Sequence, residues 1–333
     1  MVYLQFFLST AVIVAGGVRL TRYADILSDR LKLGKVWIGM ILLGLVTSLP
    51  EAVASLTAVI SLSANDLAVG NMFGSNNMNI LLIVIMDILY RRGSVTDDVH
   101  DSPSRTLPIV FAAGMTMVFI LEIVFAGGRR IPEIFYLSPG SLAVFFGYLA
   151  GMKYLAGIAR SDYASFVAPV EPTARELSLK TIYLNLFLSA ALVVGATVLL
   201  TEASDQIALT TGLGRTFIGT MLLALVTSLP EMVVTISALR LASLDLAVGN
   251  IFGSNMINLF IISLSDFCYR PGALLASVRP IHLLTCFIGL SLTLTVLAGI
   301  RMKNKPTWFN LGWDSWLSGI IFVLGSTALF VLR

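Results

Sequence analysis

One hexapeptide is written twice in this chain: Val46-Thr47-Ser48-Leu49-Pro50-Glu51 returns as Val226-Thr227-Ser228-Leu229-Pro230-Glu231. Each copy sits inside an apolar run long enough to cross a bilayer, so the fold has to accommodate two carboxylates at membrane depth. A charged side chain at mid-membrane costs about 2.5–3.5 kcal/mol on insertion scales, and such groups mark pathways, relays or ion sites. Here that cost is incurred twice, with the same neighbours.

The duplication runs on. Asp66-Leu67-Ala68-Val69-Gly70-Asn71 recurs as Asp245-Leu246-Ala247-Val248-Gly249-Asn250, and Gly74-Ser75-Asn76 as Gly253-Ser254-Asn255. Asn79 then matches Asn258, Asp87 matches Asp266, and Tyr90-Arg91 matches Tyr269-Arg270. With 57% hydrophobic and 12% charged residues among 333, and a mean hydropathy of +0.90, the chain reads as an all-α polytopic membrane protein.

At about 20 residues per span, ten apolar segments are expected. They fall near 2–18, 36–63, 66–90, 106–126, 137–157, 181–201, 215–242, 245–269, 280–300 and 311–332. The polar stretch 158–180 separates a first five-helix repeat, 1–157, from a second, 181–333, and reads as a cytoplasmic linker. An odd number of helices per half reverses the second half in the membrane, the inverted-repeat plan of many secondary transporters. The run from Val2 to about Val18 lacks a basic leader and a cleavage site, and is expected to be a retained helix.

Charge orients the bundle. With the N-terminus outside, only Arg129, Arg130, Arg215, Arg270, Arg279 and Arg333 of the 22 Lys and Arg lie on the outer side, so the positive-inside bias favours both termini outside. The net charge of +3, spread thinly, gives no footprint for nucleic acid. Cys268, Cys286, His100 and His282 have no metal-ligand spacing, which argues against zinc, haem or an iron–sulfur cluster. No G-x-x-x-x-G-K-[ST] loop supports an ATP-driven pump, and neither G-x-S-x-G nor H-E-x-x-H supports an intramembrane hydrolase.

Proline inside a helix removes its own N–H and pushes away the carbonyl four residues back, here that of Val46 or Val226. Each motif therefore offers main-chain oxygens, two hydroxyls and a carboxylate within about a turn and a half of helix. Oxygen-only donors select Ca2+, Na+ or Mg2+ over zinc or copper, with Mg2+ disfavoured by its reluctance to shed water. Two ionised glutamates neutralise one divalent cation.

Asn71, Ser75 and Asn79 follow at i, i+4 and i+8 on one helix face, and Asn250, Ser254 and Asn258 repeat them. Such residues also serve simply as hydrogen bonds between membrane helices. Gly70-x-x-x-Gly74 and Gly249-x-x-x-Gly253 are expected to admit a close neighbour. Asp66 and Asp245 sit where an N-cap is expected, and Asp87 and Asp266 lie four residues before Arg91 and Arg270, where an ion pair is expected. Glu122 has no counterpart in the repeat and receives no role.

The duplicated blocks resemble the signature repeats of the cation/calcium exchanger superfamily, specifically prokaryotic sodium/calcium exchanger-like membrane proteins. The resemblance implies alternating access to one central site that takes Ca2+ or several Na+. By position, Glu51 and Glu231 would bridge the central cations, and the main-chain oxygens of Thr47 and Thr227 would help hold Ca2+. Ser48, Ser228, Ser75 and Ser254, with the carbonyls of Gly44 and Ala224, would line flanking Na+ sites. Val46 and Val226 stand where the family usually has glycine. Asn79 and Asn258 stand where many sodium/calcium exchangers carry an aspartate in one repeat. The implied function is antiport of Ca2+ against Na+, or against H+ on the same fold, in a prokaryotic inner or plasma membrane. It requires no cofactor, ATP or nucleic acid, only the transported ions and the lipid bilayer.

Overall fold

The computed structural model describes residues 1–31, 44–90, 93–99, 103–126, 137–163, 177–240, 244–302 and 311–332. The first half contains α1 (Val2–Leu31), α2 (Gly44–Thr47), α3 (Leu49–Ile60), α4 (Asn65–Leu89), the short α5 (Val95–Asp98), α6 (Pro103–Ala126) and α7 (Pro139–Tyr163). The second contains α8 (Leu179–Thr211), α9 (Arg215–Phe217), a π-helical stretch (Ile218–Leu223), α10 (Ala224–Thr227), α11 (Leu229–Arg240), α12 (Leu244–Cys268), α13 (His282–Met302) and α14 (Trp313–Leu332). Among the described residues eight helices are long and apolar enough to cross a membrane. The chain from Arg215 to Ile236, bent by 43° at Ser228, makes a ninth when the bent pair is counted as one span. The remaining expected segment, 36–63, is described only from Gly44 onward.

Local chemistry sets the ends. Ser178 caps α8 by accepting the Thr181 N–H at 3.1 Å, and Gly212 closes the same helix in the left-handed region at φ 68°. In both hexapeptides the helix breaks at the serine, and Pro50 and Pro230 fall in the first turn of the helix that follows, where a missing N–H is tolerated. The ladder is rejoined around each break: Ser48 N–H donates to Gly44 O at 3.0 Å, and Ser228 N–H to Ala224 O at 3.0 Å.

The two helices that carry the Asn-Ser-Asn stripes form the centre. In α12, 89% of the spanning window is buried inside the protein, against 17% in the peripheral α14, so the polar stripes face protein and not lipid. The Gly70-x-x-x-Gly74 pair supplies the close approach expected of it. Gly70 lies against the backbone of Thr216 and Thr220, and Gly219 in turn against Leu67 O, so α4 and the π-helical stretch pack backbone to backbone. On the other side of the centre a Cβ added to Gly44 would lie 3.3 and 3.4 Å from Ser254 N and the Gly253 carbonyl carbon.

Two expectations for the aspartates are corrected. Asp66 is not the N-cap of α4, a position held by Ala64. It sits in the first turn and reaches across the fold to accept from Arg279 N at 2.8 Å, with His282 Nε2 at 3.1 Å. Asp245 occupies the matching second position of α12. Asp266 does not pair with Arg270 among the described contacts. Its oxygens accept the main-chain N–H groups of Leu274 (2.6 Å) and Ser138 (3.1 Å). Asp87 likewise accepts from Val95 N (2.6 Å) and Gly312 N (3.2 Å), with the Ser94 and Ser315 hydroxyls at 3.3 and 2.7 Å. Arg91 lies outside the described residues.

The physical reason is burial: a carboxylate next to N–H groups that have no helical partner is stabilised more by them than by an exposed arginine such as Arg270. Each aspartate thus ties the end of its helix to a connection and to the start of another helix. Asp266→Ala leaves two buried N–H groups unpaired and is expected to destabilise the protein by roughly 2–5 kcal/mol. Thermal unfolding of the purified protein measures it, and Asp266→Asn should recover part of the loss.

Candidate functional site

The two broken helices bring their carboxylates together in the centre. Glu51 and Glu231 are both fully buried. The serine of each motif serves the glutamate of the other: Ser228 Oγ donates to Glu51 Oε1 at 3.1 Å, and Ser48 Oγ donates to Glu231 Oε1 at 3.2 Å. This reciprocal crossing makes the site a joint product of the two repeats. Ser75 adds a second donor to Glu51 Oε1 at 3.4 Å, while Ser254 Oγ lies 3.4 Å from Thr47 Oγ1.

Asn71 and Asn250 brace the motifs from behind. Each directs Nδ2 at the main-chain oxygen of its own repeat's glutamate, Glu51 O or Glu231 O, at 3.5 Å. The same amides reach Ser55 Oγ (3.4 Å) and Thr235 Oγ1 (3.3 Å). Thr227 Oγ1 ties the halves once more by donating to Asn71 Oδ1 at 3.2 Å. The Gly44 and Ala224 carbonyls stay engaged in their helices, each accepting a serine N–H at 3.0 Å and approached by a threonine hydroxyl at 3.4 Å.

Asn79 and Asn258 complete the cluster through two residues that the stripe pattern passed over. Asn79 Nδ2 donates to Asn255 Oδ1 and Asn258 Nδ2 to Asn76 Oδ1, both at 3.0 Å. Asn76 and Asn255 each return an Nδ2 to the other's main-chain oxygen at 3.4 Å. These four amides clasp α4 to α12. The available signal was their place in the repeated Gly-Ser-Asn, one residue beyond the stripe.

After these bonds are made, five acceptor oxygens in the cluster remain buried and unpartnered: Glu51 Oε2, Glu231 Oε2, Asn79 Oδ1, Asn258 Oδ1 and, behind the second motif, Asn250 Oδ1. Unsatisfied buried acceptors are costly, and a set composed only of oxygens is chemically suited to a hard cation. Among the described residues no three His, Cys, Asp or Glu side chains group together, so the donor set here depends on amides and hydroxyls beside two carboxylates.

A buried oxygen cluster shared by two interrupted membrane helices defines the class of secondary ion transporters. The chain belongs to the family described as sodium/calcium exchanger protein, which it matches over residues 1–157 and 181–331. It is 29% identical over 277 residues to the inner membrane protein YrbG of Escherichia coli K12, covering 80% of this chain and 81% of that one. It is 28% identical over 295 residues to the sodium/calcium exchanger MaX1 of Methanosarcina acetivorans, covering 78% and 81%. Its fold matches the crystal structure of an H+/Ca2+ exchanger, CAX, with a TM-score of 0.72 at 14% identity, over 99% of this chain and 86% of that one. It also matches the sodium-calcium exchanger NCX_Mj with a TM-score of 0.61 at 18% identity, over 99% and 100%.

Proposed function

We propose that this protein is an antiporter that exchanges Ca2+ for Na+ at the Glu51–Glu231 site by alternating access. The observation that carries the reading is the buried set of unpartnered oxygens to which both hexapeptide-bearing halves contribute, a glutamate and an asparagine of matching position from each among them. Glu51 and Glu231 bridge the central cation. The main-chain oxygens of Thr47 and Thr227 and the amide oxygens of Asn79 and Asn258 complete its shell. Ser48, Ser228, Ser75 and Ser254, with the Gly44 and Ala224 carbonyls released from their threonine contacts, line flanking Na+ positions.

Exchange, as opposed to leak, follows from charge. With no ion bound the site carries two negative charges in a medium that penalises each, so a bare carrier is held from reorienting. One Ca2+ neutralises it and three Na+ leave a single positive charge, so either load permits the transition. Residues 1–157 and 181–333 act as the opposed repeats, joined by the cytoplasmic linker 158–180, with both termini outside a prokaryotic inner or plasma membrane.

The competing reading uses H+ as the counter-ion. It is favoured by asparagine at both position 79 and position 258, which leaves Glu51 and Glu231 as the acidic groups of the site, each with one oxygen open to a proton. Protein reconstituted in vesicles separates the two. With Na+ inside and equal pH on both sides, external 45Ca2+ is expected to accumulate, and replacing internal Na+ by choline should abolish the uptake. Accumulation driven only by an acid interior would replace Na+ by H+ in this scheme.

A further inference from the structure

Glu122 lies on α6, which contributes no hydrogen bond to the central cluster among those described. It is 6% exposed, and neither of its carboxylate oxygens makes a hydrogen bond of good geometry, the Ser138 hydroxyl being the donor nearby. The head group lies against the first turn of α7: a Cβ added to Gly140 would overlap Glu122 Oε2, so the absent side chain there is what admits the carboxylate. Two residues earlier on that turn, Ser138 donates its N–H to Asp266 Oδ2 at 3.1 Å. Glu122 and Asp266 thus meet the same turn of α7 at residues 140 and 138.

Their charges are met unequally. Asp266 is offset by the main-chain N–H groups of Ser138 and Leu274, whereas Glu122 has only the Ser138 hydroxyl nearby and no hydrogen bond of good geometry. The corresponding junction of the other half has no such deficit, because there the second carboxylate, Asp314, accepts the Thr96 hydroxyl at 2.9 Å beside Asp87. An ionised carboxylate buried without a partner costs several kcal/mol, so a positive charge belongs beside Glu122.

We infer that Glu122 and Asp266 hold a divalent cation of the Ca2+ type at the junction of α6, α7 and α12, a second site apart from the Glu51–Glu231 centre. The pair supplies two negative charges, and the donors are oxygens throughout. Each Asp266 oxygen keeps a lone pair, Ser138 Oγ accepts only the Ser141 N–H at 3.0 Å, and Ser141 Oγ is buried without a partner. Water completes a shell of six to eight oxygens. Glu122 lies about one turn before the end of α6 and Asp266 two residues before the end of α12, so two helix C-termini lie near the site, opposite the N-terminus of α7.

Equilibrium binding of 45Ca2+ to purified protein carrying Glu51→Gln and Glu231→Gln reads this site without the central one. About one Ca2+ per chain should bind, with a dissociation constant on the order of 10⁻⁴–10⁻³ M. Adding Glu122→Gln should weaken it about tenfold or more. Gly140→Ala, which keeps every carboxylate but displaces the Glu122 head group, should also weaken it. In the otherwise native chain, Glu122→Gln should remove one bound Ca2+ and spare the other. The inference is overturned by absence of binding in a cooperatively folding Glu51→Gln/Glu231→Gln protein, or by binding that survives Glu122→Gln. It is equally overturned if Glu122 takes up only a proton, seen as a carboxylic C=O infrared band that Glu122→Gln removes and Ca2+ leaves unchanged. None of these outcomes bears on the central site, whose own failure would appear as intact transport after Glu51→Gln.

Discussion

Glu51→Gln is expected to reduce Ca2+ transport by two to three orders of magnitude while the protein remains folded. The substitution keeps the shape of the side chain and an oxygen able to accept the Ser228 hydroxyl, so the crossed serine contacts survive. What disappears is one of two buried negative charges that balance a divalent ion. Breaking a buried charge pairing by removing one partner costs about 3–5 kcal/mol, equivalent to a loss of roughly 10²–10³ in affinity at 1.4 kcal/mol per decade. With no ion bound, the neutral residue relieves the desolvation of its predecessor, so the melting temperature should hold or rise. Glu231→Gln should behave the same way, because Ser48 plays for Glu231 the part that Ser228 plays for Glu51. Initial rates of 45Ca2+ uptake into vesicles, read beside thermal unfolding, check both halves of the expectation. Transport that persists at the native rate in either variant would remove the carboxylates from the site.

Much of this centre is legible in the sequence because it is written locally and twice. The proline break, the glutamate after it and the Asn-Ser-Asn stripe each fall within a few turns of helix, where periodicity reports which residues share a face. The glycine spacing on α4 is legible for the same reason, and its neighbour proves to be the broken helix of the opposite half. The partners of Asp87 and Asp266 were not legible. Gly312 and Ser315 lie 225 and 228 residues beyond Asp87, and Ser138 lies 128 residues before Asp266, whereas the arginine four residues on is visible to any local rule. Asp66 was misread similarly, since its partners Arg279 and His282 follow more than 200 residues later. Glu122 lacked a role because its environment is set by the absence of an atom at Gly140, which no pattern of side chains records.

Gly74→Val should abolish both stable folding and transport, the largest structural effect expected of any single substitution in the centre. A Cβ at this position would overlap Thr220 O, lie 2.7 Å from Thr220 Cα and reach within 2.8 Å of Ala224 Cβ. Two of these three neighbours are backbone, which cannot rotate away as a flexible side chain can. Overpacking a well-filled interior costs typically 1–3 kcal/mol even where side chains adjust, so displacement of two helices should exceed that range. Even alanine should be poorly tolerated, although it is intrinsically the better helix former by about 1 kcal/mol. Gly114→Ala on α6 is the contrasting case, since nothing lies within 4 Å of the added Cβ, and it should be neutral or slightly stabilising. The functional consequence follows from connectivity: Thr220 belongs to the π-helical stretch that leads directly into Thr227, Ser228 and Glu231. A shift of about 1 Å there would pull Ser228 away from Glu51 and open the crossed bonds that join the two repeats. Thermal unfolding of Gly74→Ala, Gly74→Val and Gly114→Ala, followed by 45Ca2+ uptake for those that reconstitute, would rank the three. A Gly74→Val protein with native stability would show that α4 and the broken helix are not held in backbone contact.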